Sequence, residues 1–242
     1  MSIKKTIEDL LIKYPPLFKL GSKIYHRFNS SFLSLSPETP AALLKAFKIV
    51  AENKQEPAGD YYEFGLFRGF AFLKAYEHSH KLGLDKIKFY GFDSFEGLPE
   101  AEGIDVADGR FFEGQFACSK ESVEHNLMSN GMDMTRTTLV KGFYEDSLTE
   151  DLRKEHDFKP ASIVLMDCDL YSSTVEALSW VDNYLQDGTI ILFDDWYSFG
   201  ESEDLGQQKA MKEFLTARPN YQIKHLWNFC RHGSAYVLEV KS

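Results

Sequence analysis

The run Ala161–Met166 reads Ala-Ser-Ile-Val-Leu-Met, and it limits the fold more than any other stretch. A short, nearly all-apolar strand must be covered on both faces. Such strands belong in a parallel sheet with helices packed on either side. The rest of the sequence supplies the partners. Tyr61 to Phe64 is an aromatic strand, residues 87–92 a second and Leu139-Val140 a short third. Residues 189–193 form the next after Ala161–Met166. Helical patterns over Phe70–Lys81, 120–130, 173–185 and 207–217 alternate with them. Tyr221–Phe229 and residues 234–240 flank Arg231-His232-Gly233 as a hairpin. The expectation is an α/β fold with a doubly wound, mostly parallel sheet of seven strands and an antiparallel hairpin at its C-terminal edge.

The N-terminal part stands apart. Ile7, Leu10, Leu11 and Tyr14 recur at helical spacing until Pro15-Pro16 stop the helix. Residues 1–35 are therefore expected as a helical extension, suited to a lid or to a contact in a homo-oligomer, and residues 36–242 as a single domain. Ser36-Pro37-Glu38-Thr39-Pro40 opens a helix reaching about Ala51, with Ser36 or Thr39 as cap and proline at the first helical position.

Composition removes several function classes. The chain of 242 residues has a formal charge of −10, which argues against nucleic acid and anionic membranes. No apolar run approaches the roughly 20 residues that span a bilayer. The start lacks the pattern of a signal peptide, and three widely spaced cysteines suggest a reducing, cytoplasmic setting without a disulfide framework.

Ligands of open α/β sheets bind beyond the carboxyl ends of the strands. Here those ends carry Glu63 to Gly65, Asp93-Ser94, Gly142-Phe143, Asp167-Cys168-Asp169 and Asp194-Asp195. Gly65 and Gly69 allow a sharp turn and close approach to a ligand, although the dinucleotide pattern G-x-G-x-x-G is absent. Glu63 before the turn suits a cationic group. Asp93 is placed to accept ribose hydroxyls, and Asp93-Ser94 is equally good capping chemistry. Strand alternation would project Asp167 and Asp169 to one side, with Cys168 turned into the packing. With Asp194 and Asp195 they form a hard-oxygen set suited to Mg²⁺. The histidines show no metal spacing; His26, His125, His156, His225 and His232 read as surface or packing residues. Tyr61, Phe67, Phe111, Phe112 and Trp196 are candidates for an aromatic wall.

Five segments, in this order, resemble the macrocin O-methyltransferase (TylF-type) family: Glu63 to Gly69 (EFGLFRG), Tyr90 to Pro99 (YGFDSFEGLP), Lys141 to Leu148 (KGFYEDSL), Asp167 to Thr174 (DCDLYSST) and Phe193 to Trp196 (FDDW). The resemblance covers about residues 57–217. It implies a Rossmann-like class I methyltransferase that uses S-adenosylmethionine and Mg²⁺ to methylate a hydroxyl of a sugar or glycosylated natural product. By position it implies that Glu63, Gly65 and Gly69 line the methionine end and that Asp93, Ser94 and Phe95 attend the ribose. Ser119, Gly142 and Phe143 would border the adenosine, while Asp167, Asp194 and Asp195 bind the metal. The family pattern has Gly where Cys168 stands. Some members carry a histidine base where this chain has Phe111-Phe112-Glu113, which shifts the role of base to Asp169. A catechol or other phenol offers the same pair of oxygens and is the nearest alternative acceptor. A Rossmann-type oxidoreductase and a non-catalytic cofactor-binding protein are readings from other classes.

Overall fold

The computed structural model describes residues 38–53, 59–106 and 111–241. The expected helical extension over residues 1–35 lies outside them, as does His26. Seven strands form one sheet: β1 (Asp60–Phe64), β2 (Phe89–Asp93), β3 (Thr137–Lys141), β4 (Ala161–Met166), β5 (Ile190–Phe193), β6 (Tyr221–Phe229) and β7 (Gly233–Val240). Their order is β3-β2-β1-β4-β5-β7-β6. The first five pair in parallel, while β7 runs antiparallel to both β5 and β6. The chain order reverses between β1 and β4, the switch point where such sheets open a crevice.

The helices are α1 (Thr39–Asn53), α2 (Phe70–Lys81), α3 (Lys120–Ser129), α4 (Tyr144–Ser147), α5 (Glu150–Glu155), α6 (Tyr171–Val181) and α7 (Gly206–Thr216). Period-two alternation along the strands divides the core into two layers. Tyr61, Phe89, Ile163, Leu165 and Ile190 pack with Phe47 of α1, Phe72 of α2 and Leu127 of α3. Tyr62, Phe64, Phe92, Val164 and Ile191 pack with Trp180 of α6 and Met211 of α7. Every residue of β4 is buried, as its composition requires.

The register sets the rim of the site. Phe64 pairs with Phe92 on one side and with Met166 on the other, and Met166 pairs with Phe193. Strands β1, β2, β4 and β5 therefore end at one level, and the residues that follow them share one edge.

Two differences from the sequence reading have identifiable causes, one local and one distant. The short helices α4 and α5 were not anticipated. Helix α5 starts where Thr149 Oγ1 accepts from Leu152 N at 3.2 Å, an ordinary N-cap. Helix α6 begins at Tyr171, two residues before the expected start, and residues 182–184 form a separate 3₁₀ turn. The early start comes from a cap supplied by Asp105, far away in the sequence.

Candidate active site

A cavity of about 620 Å³ opens at the ends of β1, β2, β4 and β5. Its two halves are built differently.

On the β1–β2 side the chain leaves β1 through Gly65, at φ 92°. A Cβ there would stand 1.8 Å from the Asp167 carbonyl oxygen, so the loop lies directly on the end of β4 and only glycine fits. Phe67 also adopts a left-handed backbone, at φ 50°. The Asp93 carboxylate holds this turn. Its Oδ2 accepts from Leu66 N at 2.7 Å and from Phe67 N at 3.0 Å, and its Oδ1 accepts from Phe95 N at 2.6 Å. Burial raises the Asp93 carboxyl, and these three amides offset that only in part. Ser94 Oγ donates to Gly97 O at 2.6 Å and accepts from Glu96 N at 3.0 Å, fixing the next turn. Phe67 meets Phe116 edge-to-face, with centroids 5.7 Å apart.

On the β4–β5 side the carboxylates face one another. Asp167 N continues the ladder to Phe64 O at 2.8 Å, and Asp194 N does the same to Met166 O at 3.0 Å. Burial, then the charges of Asp194, Asp195 and Asp169, raise the Asp167 carboxyl well above the usual range. Burial and Asp195 push Asp194 up as well. Thr39 Oγ1 donates to Asp194 Oδ1 at 3.0 Å, and Ser198 Oγ donates to Asp195 Oδ1 at 2.7 Å. Gln207, fully buried, ties the two strand ends together. Its Oε1 accepts from Asp195 N at 3.0 Å and its Nε2 donates to Met166 O at 3.1 Å.

The donor chemistry of Asp167, Asp194 and Asp195 suits Mg²⁺: hard oxygens whose mutual repulsion a divalent cation relieves. Among the described residues, no group of three or more His, Cys, Asp or Glu side chains is already gathered in metal-holding geometry. The donor set fits the ion in kind.

Of the anticipated residues, Gly65, Asp93, Ser94, Gly142, Phe143, Asp167, Asp169, Asp194 and Asp195 line the cavity. Four others are not among the residues that line it. Glu63 is inside β1, not beyond it, and alternation turns it with Tyr61 toward α2. It is fully buried; Tyr61 Oη donates to its Oε2, its Oε1 has no partner among the described residues, and burial lifts its carboxyl to about 8. Phe95 is a core residue, and Gly69 supports the turn into α2 against Val123 and Leu127. Ser119 caps α3, accepting from Ser122 N at 3.3 Å.

The geometry of the acidic pair also differs from simple strand alternation. Strand β4 stops at Met166, and Asp169 sits in a tight turn at φ 59°, with Leu170 N donating to Cys168 O at 2.6 Å. Cys168 is buried with its thiol near Thr174, as its position between the aspartates suggested.

The aromatic wall is narrower than anticipated. Phe67 belongs to it, but Tyr61 is core and Trp196 packs on Phe193 and Tyr236; Phe116, Phe70 and Phe143 are the additions. Thr39, Asp105 and Gln207 escaped the sequence reading. Only Thr39 carried a signal, as a potential helix cap; the other two act through contacts across the fold.

A family described as macrocin-O-methyltransferase (TylF) matches residues 42–220. A curated relative is 28% identical over 145 residues, 57% of this chain and 53% of the relative. It is 8-demethyl-8-(2,3-dimethoxy-alpha-L-rhamnosyl)-tetracenomycin-C 4'-O-methyltransferase of Streptomyces olivaceus. The chain thus spans about half the length of that relative. Among solved structures, the O-methyltransferase NovP superposes with a TM-score of 0.68 at 18% identity, covering 84% of this chain and 79% of that one. The O-methyltransferase TomG of Streptomyces achromogenes, in complex with SAM, gives 0.56 at 14% identity over 93% and 89%. These likenesses establish a class I methyltransferase fold. No helix among the described residues is long and apolar enough to cross a membrane.

Proposed function

Because the chain belongs to the macrocin O-methyltransferase (TylF) family, we propose that it transfers a methyl group from S-adenosylmethionine to a hydroxyl of a sugar on a natural product, with Mg²⁺. The observation that carries this reading is the cavity walled by both the glycine turn after β1 and Asp167, Asp169, Asp194 and Asp195. Its volume is of the size that takes a nucleoside cofactor and a small acceptor. The rhamnosyl acceptor in the name of the curated relative supports a sugar over a catechol.

Methyl transfer is an in-line displacement: the carbon–oxygen bond forms as the carbon–sulfur bond breaks. Catalysis is mostly alignment of the acceptor oxygen with the methyl carbon. In this chain the Gly65 turn holds the methionine end, and Gly142 and Phe143 border the adenosine. Asp93 braces the turn through its three amide bonds and presents its remaining acceptor capacity to the ribose. Glu63, Gly69 and Phe95 pack beneath the turn and the loop after β2, and Ser119 caps the start of α3. Asp167, Asp194 and Asp195 would hold Mg²⁺, which supplies a Lewis acid that lowers the pKa of a coordinated hydroxyl. Asp169 accepts the proton of the acceptor hydroxyl on a carboxylate oxygen as the new bond forms.

The test is a methylation screen over glycosides, nucleotide sugars and catechols, run with Mg²⁺ and with EDTA. Turnover of a glycoside that stops in EDTA and returns with Mg²⁺ is the expected result. Turnover of catechols alone overturns the sugar assignment, and full activity in EDTA overturns the metal. Absence of S-adenosylmethionine binding by calorimetry overturns the reaction itself.

A further inference from the structure

We propose that Asp105 is a positioning residue for the acceptor side of the cavity, tying the excursion after β2 to the first turn of α6. The proposal rests on the reading that this cavity takes a hydroxyl acceptor. Asp105 is 3% exposed. Its Oδ1 accepts from Tyr171 N at 2.7 Å and its Oδ2 from Ser172 N at 3.1 Å. Both amides belong to the first turn of α6, where backbone N–H groups have no partner within the helix. A carboxylate there supplies both the acceptors and a negative charge at the positive end of the helix dipole. The residue before the helix, Leu170, offers no side-chain acceptor.

The bond joins two parts of one wall. The excursion is pinned at its base by Leu98 N to Gln115 O and Gly114 N to Leu98 O, both 2.9 Å. Between that base and Asp105, Pro99, Glu100 and Glu102 line the cavity. From α6, Ser172 and Ser173 line it too, and Asp169 lies two residues before Tyr171 in the tight turn closed by Leu170 N and Cys168 O. Asp105 therefore sets how far the loop carrying Pro99 to Glu102 stands from the turn carrying Asp169. The cofactor half, held by Asp93 and Gly65, does not depend on it.

The experiment compares Asp105→Ala and Asp105→Asn with wild type, and uses Asp133→Ala as a control. Asp133 caps the short turn at Met134–Arg136, accepting from Thr135 N at 2.9 Å, and does not line the cavity. Kinetics use methyl α-L-rhamnopyranoside as the acceptor probe, calorimetry measures S-adenosylmethionine, and amide hydrogen exchange follows residues 98–102 and 169–172. Asp105→Ala is expected to raise acceptor KM and lower kcat by about tenfold each, with cofactor Kd within about twofold, because misplacement acts on alignment. Asp105→Asn, which keeps one acceptor oxygen, falls between and carries the comparison if Asp105→Ala does not fold. Asp133→Ala leaves all three constants unchanged. Exchange at 98–102 and at 169–172 is expected to rise together.

Wild-type KM and kcat in Asp105→Ala, or faster exchange confined to Tyr171 and Ser172, reduces Asp105 to a helix cap and overturns the proposal. A wild-type enzyme that methylates no glycoside contradicts the acceptor assignment instead. The exchange pattern at 98–102 then decides the role of Asp105 without it.

Discussion

Asp93 ends β2 and Asp167 follows β4, the two strands that flank β1, yet their surroundings are opposite. Asp93 faces three backbone N–H groups of its own fold. Asp167 faces Asp194, Asp195 and Asp169. The first carboxylate is answered by folding, and it makes a fixed turn. The second is opposed by its neighbours, a repulsion that the proposed Mg²⁺ would relieve. One residue type at one height in the sheet thus builds a rigid cradle on one side and a charge-deficient pocket on the other.

The sharpest way to break this contrast is where the halves touch. Gly65→Ala would drive a Cβ into the Asp167 carbonyl. It is expected to cost about 4 kcal/mol or more, since backbone clash and a disallowed φ act together. Denaturant unfolding measures it, and near-native stability would mean the two halves are not in contact as described.

Next in size is Asp169→Asn. A lost general base lowers kcat by about 10²–10⁴. S-adenosylmethionine affinity stays at the wild-type value, because the cofactor half is untouched. Turnover close to wild type would assign the proton to another group.

A smaller effect tests the electrostatic difference directly. Asp93→Asn places an amide NH₂ against backbone donors and should destabilise by about 1–3 kcal/mol. Asp194→Asn keeps an oxygen for Thr39 and removes a repelling charge, so in EDTA it should raise the melting temperature. Thermal melts that move in the same direction for both variants would erase the distinction between the halves.

The smallest effect concerns Glu63. Burial lifts its carboxyl to about 8, above its unfolded value, so the folded state binds the proton more tightly. Its contribution is fully present below the unfolded pKa and is lost as pH rises through about 8. Stability should therefore decline as pH rises from the unfolded value of 4.5 to about 8 and level off above it, and Glu63→Gln, which imitates the protonated acid, should flatten that slope in melts across this window. An unchanged slope would remove Glu63 as its source.

Local pattern carried most of the fold. Phe70–Lys81, Ala161–Met166 and Tyr221–Phe229 are legible because periodicity, apolar runs and flanking turn residues agree. What escaped was set by distant partners. The start of α6 depends on Asp105, 66 residues earlier. The acids of the site were legible as residues at strand ends, but not their orientation. Glu63 looked like a rim residue and faces the core, because one position along a strand exchanges the two sides of the sheet. Asp169 was paired with Asp167 by strand alternation, whereas a left-handed turn brings it to the cavity. Ser119, expected beside the adenosine, caps α3, a role that the sequence reading did not assign to it.

Gln207 has a consequence for redesign. Its amide donates to the end of β4 and accepts from the start of the segment after β5. Glutamate in its place would have the shape but not the polarity, and leucine would leave both backbone groups without partners. The gap between the two acidic strand ends is thus gauged from α7, by a residue that is not among those lining the cavity. That spacing is therefore a property of α7, apart from the loop after β2, whose Asp105 reaches α6 instead.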